Sequence, residues 1–303
     1  MNPTPTVSAV IATRDRPELL RRAIRSMVDQ DIDALLEVIV VFDQAEPDLE
    51  LKAEFPETEI RVVQNLRTPG LCGARNTGIS MARGDWIAFC DDDDEWTSDK
   101  LRRQLEVIGP DSIFVVGGIR IFNQKRTVDR TPGERHLHMS RLVKSRVMEA
   151  HPSTYLIKRE ALLGELGLED EEIPGGYYED WDLLLRAARL RPIDVADAPV
   201  AIVHWHPTSF FKNRWEMVIA AIDYLIEKTP ELHGSRAGMA RIRGQQAFAL
   251  AGLGRRREAL AMAASTFRLD PRQLRSYLTA AVALTPLRAE WLVRLANAFG
   301  RGI

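Results

Sequence analysis

Hydrophobic and polar positions along this chain follow two regimes. In the first two thirds, short apolar runs alternate with helical periods. Residues 7–12, 36–42 and 60–63 are such runs and predict strands, the second apolar enough to be buried on both faces. Leu19, Leu20, Ala23, Ile24 and Met27 recur at helical spacing and predict an amphipathic helix over 17–30, with Pro17 in its first turn. Further strands are predicted at 87–90, 113–122, 155–157 and 195–203, with helices over 74–82, 99–105 and 158–166. Residues 123–148 are polar, basic and aperiodic and read as a mobile loop region. A β-α-β-β opening of this kind predicts an α/β sandwich whose ligand crevice lies at the C-terminal strand ends. From Trp215 onward the pattern is helical throughout. Residues 245–253 and 259–267 form a hairpin like a single tetratricopeptide-type unit, followed by helices over 274–284 and 289–299.

Composition sharpens the division. With 303 residues, 45% hydrophobic and 28% charged, the chain is an ordinary globular protein of one large domain with an appendage, or of two. Its net charge of -2 gives no global field toward nucleic acid. That charge is uneven. Residues 235–303 hold twelve arginines, no lysine and three acids (Glu258, Asp270 and Glu290), a net of +9 that leaves -11 for the rest. The shift predicts a boundary, with a domain at 1–212 and a helical C-terminal domain at 213–303. Its Arg-rich faces are either solvated or suited to anionic lipid headgroups or an acidic partner. Cys72 and Cys90 lack metal-ligand spacing and read as reduced thiols. The first residues show no signal-peptide pattern, and no window reaches the about 20 apolar residues of a membrane span. The expectation is a cytoplasmic protein, with peripheral contact at the inner membrane face.

Candidate chemistry gathers at two places. The run at 87–90 ends in Asp91, Asp92, Asp93 and Asp94. Adjacent carboxylates repel unless something cationic neutralises them, so a hard divalent cation competes with a solvated acidic turn as the reading. Before this run, Gly70 and Gly73 lead into a helix with Arg75 in its first turn, where free N–H groups already favour an anion. After it, Gly175 to Tyr178 deliver Glu179 and Asp180 to a helix start, where acids also serve as caps. His204 and His206 follow the last strand.

Taken in order, these motifs resemble the inverting nucleotide-sugar glycosyltransferases of family 2. The residues that carry the likeness are Val10-Ile11-Ala12-Thr13-Arg14-Asp15-Arg16, Val38-Ile39-Val40-Val41-Phe42-Asp43, Gly73-Ala74-Arg75-Asn76-Thr77-Gly78, Ala82-Arg83-Gly84-Asp85-Trp86-Ile87, Phe89-Cys90-Asp91-Asp92-Asp93-Asp94 and Glu179-Asp180-Trp181-Asp182. The resemblance covers about residues 6–210. It implies a GT-A fold: an α/β nucleotide-diphospho-sugar transferase sandwich with a mixed, mostly parallel sheet, here with an all-helical C-terminal extension. It implies a UDP-, dTDP- or GDP-sugar donor, a glycan or glycolipid acceptor, and Mg²⁺ or Mn²⁺. Thr13, Arg14, Asp43, Arg75, Asp91 and Asp92 would bind the nucleotide sugar. Asp91 and Asp93 would form the Asp-x-Asp element, with Asp93 on the metal and His206, or His204, completing its shell. Asp180 would be the general base, with Glu179 the alternative. Phe42 stands where the family often has a second carboxylate, which bears on the choice of base. The Gln/Arg-rich element of processive synthases is not evident, so transfer of one or a few sugars is expected. A nucleotidyltransferase would open with a glycine-rich loop after the first strand, and residues 13–17 contain no glycine. A dinucleotide oxidoreductase would show G-x-G-x-x-G there. A degenerate transferase serving as a binding module is the non-enzymatic alternative.

Overall fold

A computed structural model describes residues 5–123, 126–204 and 215–298. The elements are β1 (Val7–Thr13), α1 (Pro17–Val28), β2 (Leu35–Phe42), α2 (Leu51–Glu54), β3 (Glu59–Gln64), α3 (Leu71–Met81), β4 (Trp86–Asp91), β5 (Glu95–Trp96) and α4 (Lys100–Glu106). There follow β6 (Phe114–Asn123), β7 (Arg126–Arg130), β8 (His136–Leu137), α5 (Met139–Leu142), β9 (Leu156–Lys158), α6 (Arg159–Leu163), α7 (Glu179–Leu190) and β10 (Ile193–His204). The rest is helical: α8 (Trp215–Lys228), α9 (Arg236–Gly252), α10 (Arg256–Leu269), α11 (Leu274–Leu284) and α12 (Ala289–Ala298).

The sheet is mixed and mostly parallel, in the order β3-β2-β1-β4-β9-β6-β10-β5, with β7 on β6 and β8 on β10. β9 and β5 run against the other six strands of that path. Register fixes where the chemistry falls. Ala12 pairs with Asp91, and Thr13 with Phe42, so β1, β2 and β4 end at one edge. On one face, α1 buries Leu20, Ala23, Ile24 and Met27 against Ile11, Val38 and Val40. Each large side chain there contributes about 1.5–3 kcal/mol on burial, so a charged residue at Ile24 would detach the helix. Helix α3 packs on β1 and β2 through glycine. A Cβ on Gly78 would lie 2.4 Å from Val10, and one on Gly73 would lie 1.9 Å from the Thr68 carbonyl oxygen.

Residues 126–142 differ from the loop expected there. β7 is ordered by pairing with β6, reinforced by Arg120 donating to both oxygens of Asp129 at 2.7 and 2.8 Å. That pairing is non-local and leaves no period in the segment itself.

Two compact units emerge. One comprises Met1–Met139, Val147–Glu171 and Glu179–Trp205; the other comprises Ser140–Arg146, Glu172–Tyr178 and His206–Ile303. The second has its own core, in which Phe248, Leu250, Ala259 and Val282 are buried. No helix among the described residues is long and apolar enough to cross a membrane.

Candidate active site

The acidic run leaves β4 as a tight turn, with the Asp94 amide donating to the Asp91 carbonyl at 3.1 Å. The turn sends its carboxylates in two directions. Asp92 and Asp93 face the β1 side. Thr13 Oγ1 donates to Asp92 at 2.8 Å, and Arg16 reaches Asp92 at 2.9 Å and Asp93 at 3.0 Å. Burial pushes the Asp92 carboxyl up, against the pull of Thr13 and Arg16.

Asp91 and Asp94 face the 3₁₀ turn Pro152–Thr154 before β9 and His151, which caps it. Ser153 Oγ accepts the Asp91 N–H at 3.1 Å and donates to Asp94 at 2.6 Å. His151 lies beside both acids, with Nδ1 3.4 Å from Asp94 and Nε2 4.0 Å from Asp91. One ligand atom from each of Asp91, Asp94 and His151 falls within 4.8 Å of the others. Burial, then the Asp91 and Asp93 charges, push the Asp94 carboxyl well above the usual range.

Arg75 enters beneath this turn from α3 and is fully buried, its guanidinium 5.2 Å from the centre of the Phe89 ring. It donates to Asp91 at 2.5 Å and to Glu169 at 3.0 Å, and lies 3.8 Å from Glu179. Burial opposes its charge, but the three carboxylates override that and hold it well above the ordinary arginine range. Asp91 is likewise held low by Arg75 despite burial, whereas burial raises Glu169. One guanidinium does not balance three acids, and Glu169 Oε2 has no hydrogen-bond partner among the described residues. Two carboxylates and an imidazole beside an acid excess are a donor set that fits a divalent cation.

The remaining expected residues are distributed as follows. Asp43, at the end of β2, accepts from the Gly70 N–H at 3.1 Å and from Asn65 at 2.8 Å, so it anchors the loop leading into α3. Arg14 is half-exposed with Asp15 3.8 Å away. Glu179 and Asp180 open α7. Asp180 is buried, its Oδ1 accepts the Trp181 N–H at 2.7 Å, and its carbonyl accepts from the Tyr155 hydroxyl at 3.2 Å. His204 bonds Glu95 at 2.6 Å, while His206 lies outside the described residues. Arg75 meets carboxylates of the chain itself, from the second turn of a helix that starts at Leu71 rather than at 74.

Arg16, His151, Ser153 and Glu169 are site residues that the sequence reading missed. His151 and Ser153 had a usable signal, being polar residues directly before an apolar strand. Glu169 had none, because it begins an acidic stretch that reads as solvated.

The sequence model of glycosyl transferase family 2 matches residues 8–163. The chain belongs to this family. As a family 2 glycosyltransferase it is similar to the uncharacterized glycosyltransferase YwdF of Bacillus subtilis, 31% identical over 188 residues that cover 60% of this chain and 68% of YwdF. It is 39% identical over 112 residues to the succinoglycan biosynthesis protein ExoO of Rhizobium meliloti, covering 35% of this chain and 32% of ExoO. It is 28% identical over 141 residues to WfgD of Escherichia coli, a UDP-Glc:alpha-D-GlcNAc-diphosphoundecaprenol beta-1,3-glucosyltransferase, covering 46% of this chain and 55% of WfgD. This family 2 chain thus spans about a third of ExoO and about half of WfgD. In fold it matches S. aureus TarS 1–349 in complex with UDP-GlcNAc, with a TM-score of 0.60, 15% identity and coverage of 98% and 92% of the two chains. It also matches the mannosyltransferase PcManGT from Pyrobaculum calidifontis in complex with GDP-Man and Mn²⁺, with a TM-score of 0.58, 17% identity and coverage of 98% and 88%. These likenesses identify the fold as GT-A.

Proposed function

We propose that this glycosyltransferase moves a hexosyl group from a UDP-, dTDP- or GDP-sugar to a hydroxyl of a glycan or glycolipid precursor, with inversion at the anomeric carbon and with Mg²⁺ or Mn²⁺ as cofactor. One observation carries the reading. Arg75 gathers Asp91 of the acidic run and Glu179 of the late acidic pair around a single guanidinium. Acids from distant parts of the chain therefore converge at the strand ends where an α/β sheet takes its ligand. The donor class is supported by the nucleotide sugars named for TarS and PcManGT, and the acceptor class by the names of ExoO and WfgD.

The contacts support a division of labour. Thr13 and Asp92, with Arg14 and Asp43 beside them at the ends of β1 and β2, form the nucleotide side. Asp91, Asp94 and His151 offer the cation donors that the geometry favours; Asp93 and His206 are those that the family pattern adds. When bound, the cation neutralises charge gathering on the departing diphosphate. Asp180 takes the proton from the attacking hydroxyl. Glu179 is the second candidate base, but its pairing with Arg75 commits it to holding the site together. The segment 1–212 is then the catalytic part and 213–303 a helical accessory.

The test offers each donor class to the purified protein with Mn²⁺ or with EDTA. Release of nucleoside diphosphate is expected only with the cation, and NMR of the product is expected to show the inverted anomer. Asp180→Asn is expected to lower kcat by about 10²–10⁴-fold with donor affinity unchanged. Full turnover in EDTA, or a retained anomer, overturns the reading.

A further inference from the structure

In the helical unit, α11 buries Ser276, Thr279, Val282 and Ala283 and leaves large apolar side chains on its outer face. Its exposed positions are Leu274, Tyr277 and Leu284, at 67%, 53% and 70% exposure. At helical spacing these three fall within an arc of about 80°. Its inward positions include Ser276 and Thr279, buried hydroxyls with no hydrogen-bond partner among the described residues. The small inward side chains have a packing reason. A Cβ on Gly244 of α9 would come within 3.2 Å of the Arg275 Cβ, so the two helices approach closely.

Exposed apolar side chains recur past the end of α11. Leu287 and Trp291, at 48% and 68% exposure, line a groove of about 670 Å³ whose polar lining includes Arg256, Arg288, Thr285 and one acid, Glu290. At the start of α11, Phe267 meets Tyr277 edge-on at 5.9 Å between ring centres, and Arg268 and Arg272 are exposed nearby in the sequence. Exposed arginines thus flank the apolar positions in the sequence on both sides, within the stretch that carries a net +9.

We propose that α11 and the start of α12 form a docking face for an anionic phospholipid surface. Leucine, tyrosine and tryptophan side chains enter the boundary between headgroups and acyl chains, while arginine reaches the phosphates. The charge decides between occupants. A second copy docking through this same face would bring +9 against +9, whereas an anionic bilayer is complementary. Binding is interfacial, since no described helix is long and apolar enough to span.

The full chain is mixed with vesicles of phosphatidylcholine alone or of phosphatidylcholine with phosphatidylglycerol, and sedimented. Co-sedimentation is expected only with the anionic vesicles, weakening as salt rises. Leu284→Glu with Leu287→Glu is expected to lower binding by at least about tenfold. Arg256→Ala and Arg288→Ala are each expected to weaken it by about fivefold. All four side chains are exposed, so melting curves are expected to match the parent, and Leu274→Ser with Leu284→Ser gives a milder pair. Trp291 emission is expected to shift to the blue on anionic vesicles, a signal lost in Trp291→Phe. Three results overturn the proposal: no sedimentation with anionic vesicles, sedimentation indifferent to the apolar substitutions, or light scattering that reveals a dimer dispersed by Leu284→Glu.

Discussion

Arg75 decides the charge balance of the site. Three acids converge on it in a fully buried position, and a buried pair that loses one partner is destabilised by about 3–5 kcal/mol. Arg75→Met is therefore expected to cost that much in urea unfolding at neutral pH. The sign of its pH dependence is also set. Without the guanidinium, buried carboxylates have folded pKa values above their unfolded ones, so the variant loses stability as pH rises through that interval. Arg75→Lys is expected to recover only part of the loss, because one ammonium does not reproduce a planar fork. The sequence placed Arg75 in the first turn of a helix over 74–82, but α3 begins at Leu71, so Arg75 stands in the second turn, and its anions come from the chain itself. Glu169 escaped notice because a partner distant in sequence leaves no local pattern.

At the scale of the element, the acidic turn is shaped by its neighbour more than by itself. Ser153 receives the Asp91 N–H and gives its proton to Asp94, so one hydroxyl sets the spacing of two acids. Ser153→Ala leaves that amide and the Asp94 oxygen without their partner. The expected cost is about 1–3 kcal/mol in stability, together with weaker Mn²⁺ binding by calorimetry. A variant with parental stability and metal affinity would show that the turn holds its shape alone. Strands were legible wherever the apolar run was unbroken, as at β1, β2 and β4. Helix α9 begins earlier than its apolar period suggests. Its first turns are rich in Ala, Gly and Arg, and its start is fixed by Ser235 accepting the Gly238 N–H at 3.1 Å. β7 and β8 were not legible, because they exist through pairing with β6 and β10.

For the whole molecule, the clearest pH signature comes from Lys100, buried in the sheet-bearing unit. Its ammonium nitrogen bonds Gln104 at 2.7 Å and lies 5.0 Å from the Trp96 ring centre. Burial pulls its pKa down to about 7. Between about 7 and the ordinary value of 10.5, the unfolded chain holds a proton that the folded chain has released. Stability therefore rises with pH across that window, by at most about 1.4 kcal/mol per pH unit from this group. Lys100→Met is expected to flatten the rise, as read by thermal melts from neutral to alkaline pH; an unchanged slope would assign it to another group. Mechanical tolerance sets a different kind of limit. Helix α3 rests on β1 and β2 through Gly78 with no room for a methyl group, and it carries Arg75 with it. Shimming that joint would misalign the charge cluster without touching any residue of the chemistry. A selection for well-folded expression alone is then expected to purge Gly78→Ala as thoroughly as a selection for turnover purges Asp180→Asn. The alleles tolerated in a library would look catalytic in origin while reporting only the fit of a helix on its seat.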